Sequence, residues 1–278
     1  MNMSKFPSIL NASWALMLTR YIMVASSMIS KRSIYSLADL SVRFLLNTNQ
    51  RFYPSFYAMK YYLLYLVWAA VANATIQGLD ISHSQSKPNL TEAYSVGLYF
   101  VYIKATEGAT YTDPKFASHY QAATNASFFR GGYHVARPDL TNGTAQARFF
   151  LSNGGAWVAD RKTLPGLLIV GLDAGCTGRK VNEITDWIRD FVREYEGTTH
   201  RPPVIATTNE WWVHCTGNTR EFKDKSELML VKWGDSVGMI PGGWQFATIW
   251  QYRKGGAWGG NSNIFNGDAQ ALRKLVEG

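Results

Sequence analysis

Carboxylate, lysine and histidine side chains lie within several short apolar runs that are rich in β-forming residues. Asp80 lies in the run 78–82, Lys104 ends the run 99–104, and His134 lies in the run 131–135. A lysine inside a strand is costly to bury without an acidic partner, so we expect Lys104 to pair with Asp80 on the neighbouring strand. Carboxyl groups held in this way can donate or accept protons, and the pattern therefore indicates acid–base or polar binding chemistry.

Metal and phosphate chemistry have little support in the sequence. The two cysteines, Cys176 and Cys215, show neither a CxxC spacing nor a Cys/His cluster, so we expect no zinc site. Glycine pairs occur in residues 255–260, but they lack the strand before and the helix after that phosphate binding needs.

The net charge is unevenly distributed along the chain. The 278 residues include 28 Lys and Arg and 20 Asp and Glu, a net charge of +8. Residues 1–74 hold seven of the basic residues and one acidic residue, which leaves only +2 for residues 75–278. Basic residues are interspersed with acidic residues in this second part, so we expect no nucleic acid as a partner.

The segment before residue 75 has the features of a secretory signal peptide. Lys60 is followed by the apolar run 61–71 and by Ala-Asn-Ala at 72–74. The run is too short for a membrane span, which needs roughly 20 residues, and small residues precede the expected cleavage site. In one interpretation, translation starts at Met59 and residues 1–58 belong to an over-extended gene model. The other is an organellar presequence over 1–58.

Secretion would also explain other features of the chain. In an exported protein, Cys176 and Cys215 are expected to form one disulfide that closes a loop of about 40 residues and stabilises the fold by roughly 2–4 kcal/mol. Asn89, Asn125 and Asn142 each begin an Asn-x-Ser/Thr triplet and are predicted glycosylation sites. The sequence thus predicts a secreted, extracellular protein with a single mature domain over 75–278 and no membrane span once the signal is removed.

Alternating strand and helix patterns organise residues 75–278. The β-rich runs are 78–82, 99–104, 131–135, 167–172, 204–207, 228–233 and 246–251. Helical patterns occupy 114–125, 144–153 and 181–196, and turn-rich segments replace helices after Trp211. This alternation predicts an α/β fold, an irregular TIM-like barrel of five β/α units closed by antiparallel strands.

Several motifs occur in an order that is typical of a known family. They are 78–83 (GLDISH), 102–108 (YIKATEG), 111–114 (YTDP), 130–138 (RGGYHVARP), 164–166 (LPG), 207–212 (TTNEWW), 215–218 (CTGN), 250–252 (WQY) and 265–268 (FNGD). In this order, over residues 77–278, they resemble the Chalaropsis-type lysozymes of glycoside hydrolase family 25, in their fungal branch. The resemblance implies a flattened, irregular β/α barrel that cleaves the bond after N-acetylmuramic acid in peptidoglycan, without a metal or organic cofactor.

The resemblance also implies where the catalytic acids should lie, at the C-terminal ends of barrel strands. The acid of the first strand is present as Asp80. The family's Asp-x-Glu of the fourth strand falls on Ile169 and Gly171, and its final-strand acid falls on Asn263. Its fifth-strand tyrosine falls on Ala206. Because loss of a general acid typically costs about 10²–10⁴ in rate, we expect catalysis to be lost or strongly impaired.

Asp173 is the nearby carboxylate that could replace the missing pair. If residues 167–173 form a strand, Ile169, Gly171 and Asp173 share one face, and Asp173 lies about 6.6 Å beyond Gly171. It could then work with Asp80 as a displaced acid pair. The alternative is a turn residue in Asp-Ala-Gly, which we favour because the displacement exceeds what positioned proton transfer tolerates.

Further residues are candidates for substrate binding. They are Lys104, Glu107, Tyr133, His134, Arg137, Trp211 and Gln251. His134 and Arg137 could bind saccharide or belong to a structural hydrogen-bond network, and these alternatives stay open. Trp211 could stack on a sugar ring or pack in the core.

Three functional hypotheses follow. The first is a secreted lysozyme-like protein that binds peptidoglycan or a related amino-sugar glycan with little or no muramidase activity. The second is an active peptidoglycan muramidase that uses Asp80 with Asp173 or relies on assistance from the substrate alone. The third is a protein-interaction module whose cleft is vestigial. In each case we expect a monomer.

Overall fold

The computed structural model describes residues 75–171 and 175–278. The predictions for residues 1–74, and the prediction for Asp173, lie outside the described residues. Nine strands form one sheet; they are β1 (Ile76–Ile81), β2 (Leu98–Glu107), β3 (Tyr111–Thr112), β4 (Phe129–Val135), β5 (Leu167–Ile169), β6 (Val204–Thr207), β7 (Leu228–Val231), β8 (Ile249–Arg253) and β9 (Asn261–Phe265).

The sheet closes into a barrel because β1 pairs with β2 on one side and with β9 on the other. The strand order is β1-β9-β8-β7-β6-β5-β4-β2, and the short β3 extends β2 outside the barrel wall. Neighbouring strands in the series β1, β2, β4, β5, β6, β7 and β8 are parallel. The strand β9 is antiparallel to both of its neighbours, β8 and β1. The predicted barrel class is confirmed.

Helices alternate with the first barrel strands as predicted. They are α1 (Leu90–Ser95), α2 (Phe116–Asn125), α3 (Gly143–Phe150), α4 (Val181–Thr199) and α5 (Asn209–Thr216), and α6 (Ala269–Glu277) follows β9. A π-helical turn, Leu151–Gly155, extends α3. The first five helices follow β1, the β2–β3 pair, β4, β5 and β6, which gives the five predicted β/α units.

The strands alternate between two cores. Leu167 and Ile169 of β5 belong to an apolar cluster that contains inward-facing residues of the other wall strands. Leu168 belongs instead to the cluster that packs the barrel against α3, α4 and α5. This period of two is what a strand buried on both faces requires. The apolar stripe of α4, from Ile184 to Tyr195, is buried in the second cluster, as its spacing predicted.

The strands expected over 228–233 and 246–251 have other bounds, since β7 ends at Val231 and β8 spans Ile249–Arg253, and two further details differ from the sequence prediction. The strand expected over 167–172 ends at Ile169, because Gly171 adopts a left-handed backbone with φ of 80°. Ile169 and Gly171 therefore do not share the face of one continuous strand. The antiparallel part of the barrel is also narrower than predicted, since β7 and β8 are parallel to their neighbours and only β9 reverses direction.

A disulfide joins Cys176 to Cys215, with 5.3 Å between the Cα atoms, and thereby confirms the predicted pairing. It links the segment after β5 to α5. Within the described part of the chain, no helix has the length and apolar character that crossing a membrane requires.

Candidate functional site

The candidate site lies where the parallel strands end, on the inner face of the barrel. Asp80 near the end of β1 meets Gln251 of β8 and two residues of β9, Asn261 and Asn263. The register explains the meeting, because Asp80 pairs with Asn261 and Gln251 pairs with Asn263 across neighbouring strands. We call Asp80 and these three carboxamide residues the Asp80 cluster.

Three amide groups hold the Asp80 carboxylate. Gln251 Nε2 donates to Asp80 Oδ1 at 3.0 Å, and Asn263 Nδ2 donates to the same oxygen at 2.9 Å. Asn261 Nδ2 donates to Asp80 Oδ2 at 2.9 Å. The carboxylate is thus bound by neutral dipoles from two strands, without a second acid in the cluster.

Burial dominates the acidity of Asp80. Only 6 % of the residue is exposed. Loss of solvation raises the pKa of its carboxyl group to about 6, although the bonds from Asn263, Asn261 and Gln251 act in the opposite direction. Asp80 is therefore ionised at neutral pH and protonated in mild acid.

Two members of the Asp80 cluster show how the amides themselves are held. Gln251 Oε1 accepts a bond from the indole nitrogen of Trp233 at 3.1 Å. Asn261 Oδ1 accepts one from the backbone of Gly255 at 3.2 Å. The fully buried Asn263 Oδ1, in contrast, has no hydrogen-bond partner among the described residues.

Sequence reasoning missed Asn261 and Trp233. The alternation Asn261, Asn263, Phe265 is a strand pattern with one inward face, and it could have identified both asparagines. Trp233 ends the run predicted as a strand over 228–233, but β7 ends at Val231, and the contact of Trp233 with Gln251 was not predicted.

The inner faces of β5 and β6 carry apolar side chains. Ile169 of β5 is buried next to Ala206 of β6, its partner in the parallel ladder, and both belong to the inner apolar cluster. Neither side chain can exchange a proton. Ile169, the residue at which the sequence resemblance led us to expect an aspartate, is therefore a packed hydrocarbon group in the structure.

Gly171 lies under the ring of Trp211. A Cβ atom built on Gly171 would lie 2.4 Å from Cγ of this indole, far inside van der Waals contact. The indole itself is fixed, since its Nε1 donates to Gly175 O at 2.9 Å and only 8 % of the residue is exposed. Of the two predicted roles of Trp211, the geometry favours packing over stacking on a ligand.

Lys104 does not pair with Asp80, contrary to the sequence expectation. Its ammonium group bonds Glu107 Oε2 at 2.7 Å, three residues along the chain. Arg137 bonds the other oxygen of Glu107 at 3.3 Å and both oxygens of Asp139. Because Glu107 binds the lysine, Lys104 brings no positive charge to the Asp80 cluster.

The Glu107 carboxylate is thereby kept ionised. Burial by itself would raise the pKa of Glu107, but the hydrogen bonds and charges of Lys104 and Arg137 outweigh burial and hold the pKa below its ordinary value. Glu107 is accordingly a poor proton donor. It positions two cations at the rim of the barrel instead.

His134 faces the helices and not the barrel interior. It is fully buried, its Nδ1 lies 2.8 Å from Thr106 Oγ1, and its Nε2 lies 3.0 Å from Gln146 Oε1. Phe150 and Phe191 pack against its ring. Burial lowers the pKa of His134 to about 4. These contacts correspond to the structural hydrogen-bond network, one of the two alternatives left open by the sequence.

Tyr133 and His83 complete the surroundings of the site. Tyr133 belongs to the inner cluster, and burial together with the Asp80 and Asp113 charges raises its pKa well above the ordinary value. His83 Nδ1 lies 2.8 Å from the buried Asp113 carboxylate and 3.2 Å from Tyr111 Oη. The motifs around 83 and 111–113 contained these residues, but their spacing along the chain did not reveal the contact.

Metal ligation has no candidate in the described part of the chain, where no group of three or more His, Cys, Asp or Glu side chains is arranged to hold an ion. The chemistry available to the site is that of one buried carboxylate, its amide partners and a rim of paired charges.

Comparison with known proteins places this geometry in context. The sequence profile of "Glycosyl hydrolases family 25" matches residues 79–261. An N,O-diacetylmuramidase of Chalaropsis sp is 44% identical over 211 residues, which cover 73% of this chain and 100% of that protein. Lysozyme M1 of Streptomyces globisporus is 43% identical over 209 residues, covering 72% of this chain and 71% of that protein.

Solved structures give the same result. The structure of a family GH25 lysozyme from Aspergillus fumigatus is 48% identical with a TM-score of 0.73, and the match covers 74% of this chain and 100% of that chain. A muramidase from Trichobolus zukalii is 48% identical with a TM-score of 0.71, over 73% of this chain and 99% of that chain.

Proposed function

The chain belongs to glycosyl hydrolase family 25, and from this membership we propose that it retains a saccharide-binding cleft while muramidase catalysis is lost or strongly impaired. The observation that carries the proposal is the composition of the barrel interior where the strands end. Asp80 is held there by three carboxamides, and the residues to which the sequence resemblance assigns the family's acid pair are Ile169 and Gly171.

The chemistry of glycoside hydrolysis explains why this composition matters. The reaction needs a carboxylic acid that protonates the leaving oxygen and a second group that stabilises or traps the oxocarbenium-like centre. Ile169, Gly171 and Ala206 can serve neither purpose. The resemblance assigns a further acid to residue 263, where Asn263 instead donates an amide hydrogen bond to Asp80.

The expected ligand is peptidoglycan or a related amino-sugar glycan, the substrate class of the named muramidase relatives. The cleft retains groups suited to saccharide hydroxyls, since Glu107 and Arg137 lie partly exposed at the rim and Trp233 presents an aromatic side chain beside Gln251. A polar rim with an aromatic face is a typical environment for a sugar ring.

A cell-wall turbidity assay tests the loss of catalysis. The full chain, and in parallel a chain that begins at Thr75, is added to a suspension of bacterial cell walls, and an active relative serves as the positive control. We expect no dose-dependent clearing. Clearing that disappears in Asp80→Ala would contradict the proposal and identify a functioning hydrolase.

The hydrolase alternative has one observation in its favour. The pKa of Asp80, raised to about 6 by burial, lets a fraction of the carboxyl groups carry a proton near neutral pH, as a general acid requires. In this alternative Asp173 supplies the second carboxylate. Asp173→Asn should then abolish clearing as completely as Asp80→Ala.

Binding separates the proposed function from a protein-interaction module. The chain is incubated with insoluble peptidoglycan and with chitin, and the pelleted fraction is measured. Retention by either polymer supports the saccharide cleft. Absence of retention by both contradicts it and favours the interaction module with a vestigial cleft.

We further propose that the mature protein is secreted after cleavage before Thr75. A disulfide between Cys176 and Cys215 fits an oxidising compartment, and the three predicted glycosylation sites, Asn89, Asn125 and Asn142, are all exposed. Mass spectrometry of the protein recovered from the medium should give an N-terminus near Thr75. An intact N-terminal segment in the recovered protein would contradict this.

A further inference from the structure

The Asp80 cluster binds its carboxylate only through neutral groups. The three donors are the amide nitrogens of Gln251, Asn261 and Asn263, at 2.9–3.0 Å from the carboxylate oxygens. A neutral amide stabilises an anion less than a cationic donor does, because only a charge-assisted pair also neutralises the buried charge. The carboxylate is thus hydrogen-bonded but not charge-compensated.

No positive charge from the described residues compensates it. Lys104, on the neighbouring strand, is bound by Glu107 at 2.7 Å, and Arg137 is bound by Glu107 and Asp139. No described Lys, Arg or His forms a salt bridge with Asp80. Buried carboxylates are ordinarily paired, and the raised pKa of Asp80 is the cost of this unpaired arrangement.

The cluster also has hydrogen-bond acceptors to spare. A carboxylate offers about four lone-pair sites, and three amide donors engage three of them. The remaining one belongs to Asp80 Oδ2, which accepts only from Asn261 in the described structure. Asn263 Oδ1, on a fully buried residue, accepts from no described residue. A ligand group that complements the cluster therefore donates hydrogen bonds and carries positive charge.

We propose that the Asp80 cluster binds the ammonium group of a 2-amino-2-deoxy sugar, that is, a glucosaminyl unit whose nitrogen carries no acetyl group. This inference rests on the proposed saccharide cleft and specifies its ligand. An ammonium group offers three N–H donors and a full positive charge, which matches the acceptors of Asp80 and Asn263. An acetamido nitrogen offers one N–H, no charge and a methyl group that has to be accommodated.

Trp233 adds a feature that suits a sugar at this place. Its indole nitrogen bonds Gln251 of the Asp80 cluster at 3.1 Å, while 50 % of the residue is exposed. The Trp233 side chain therefore contacts the Asp80 cluster through Gln251 and also reaches the protein surface. A sugar whose ring lies against the indole can direct its amino group toward Asp80.

Calorimetric titration of the full chain with two defined oligosaccharides tests the proposal. The probes are a glucosamine hexamer without acetyl groups and the fully N-acetylated hexamer, at the same near-neutral pH and salt concentration. We expect the free-amine hexamer to bind roughly 10- to 100-fold more tightly, the ratio that a charge-assisted hydrogen bond contributes. In Asp80→Asn this preference should disappear.

Asp235→Asn is the matched control, because Asp235 is an exposed acid and the substitution removes the same charge. The preference should persist in this variant. An equal loss of preference in both variants would show general attraction of a polycation and overturn the proposal. If Asp80→Asn does not fold, as judged by far-UV circular dichroism, wild type is also titrated at pH 5, where Asp80 with its pKa of about 6 is mostly protonated while ordinary surface carboxyl groups stay ionised. The preference for the free-amine hexamer should then fall several-fold, and an unchanged preference at pH 5 would overturn the proposal.

The outcomes also separate this inference from the proposed function. Equal or tighter binding of the acetylated hexamer overturns the ammonium site and leaves the saccharide cleft standing. Binding of neither hexamer contradicts both. Preferential binding of the free amine that depends on Asp80 supports both.

Discussion

Gly171→Ala is predicted to destabilise the protein through a single methyl group. The glycine has a φ of 80°, and a Cβ atom there would lie 2.4 and 2.5 Å from Cγ and Cδ2 of Trp211. Optimal carbon–carbon contacts are about 3.5–4.0 Å, so the indole would have to move by roughly 1 Å. The indole is fixed by its bond to Gly175, and we therefore expect the clash to persist in part.

Two costs add in this variant. A side chain in the left-handed region costs about 1–2 kcal/mol. Overpacking against a buried ring costs a further 1–3 kcal/mol, roughly. The free energy of unfolding should thus fall by about 2–5 kcal/mol in total. For a domain of this size each 1 kcal/mol corresponds to about 2–4 °C in Tm.

Gly175→Ala is the matched control for the first cost. Gly175 has a φ of 92°, but nothing lies within 4 Å of its added Cβ. The difference between the two variants in urea unfolding therefore isolates the steric contribution, expected at about 1–3 kcal/mol. Equal destabilisation of both variants would refute the packing of Trp211 against Gly171. In a double-mutant cycle, Trp211→Leu should remove part of the extra cost.

Three further predictions concern the barrel interior and its flank. Asp80 has a folded pKa of about 6 against an ordinary 3.8, so its stabilising contribution is present below pH 4 and is lost as the pH rises through 6. The free energy of unfolding of wild type relative to Asp80→Asn should fall by about 3 kcal/mol over that interval, as measured by urea unfolding at each pH. The pH effect of His134 has the opposite sign, because burial lowers its pKa from 6.5 to about 4. The free energy of unfolding of wild type relative to His134→Gln should fall by about 3 kcal/mol as the pH falls from 7 to 4. An unchanged free energy of unfolding would refute the burial of His134 as a neutral ring. Introducing the acids of the family pattern with Ile169→Asp, Gly171→Glu and Asn263→Asp should give no cell-wall clearing and a lower Tm than the pair Ile169→Asp and Asn263→Asp. Clearing by the triple variant would contradict the strain at Gly171.

The two opposite pH effects overlap in wild type. Asp80 loses stabilisation and His134 gains it over nearly the same pH interval, with similar magnitudes. A flat stability profile of wild type between pH 4 and 6 is therefore compatible with both shifts. The variants are needed to separate the two contributions.

The barrel, the buried stripe of α4 and the disulfide could be predicted because each depends on a local pattern or on a small number of possible pairings. The alternation of apolar runs set the strand faces, and only Cys176 and Cys215 were available to pair. Position 171 was different. A glycine permits both β-region and left-handed backbone, so the sequence did not reveal that β5 ends at Ile169.

The partners within the site were also beyond the sequence. Lys104 had two carboxylates within reach, and only the three-dimensional arrangement determines that Glu107 and not Asp80 binds it. The role of Asn261 depended on the register of β9 against β1, which places it opposite Asp80. Trp233 lies two residues beyond the end of β7, inside the run predicted as a strand, so strand alternation could not predict its contact with Gln251.

The left-handed backbone at Gly171 makes residues 171 and 263 unequal as places to introduce an acid. At Asn263 an aspartate exchanges one NH2 group for an oxygen and leaves the backbone unchanged, although it removes the hydrogen bond to Asp80. At Gly171 a glutamate is disfavoured by both the backbone and the indole of Trp211 until the segment after β5 is rebuilt. A carboxylate can therefore be introduced at residue 263 by one substitution, whereas at residue 171 it needs accompanying changes around Trp211.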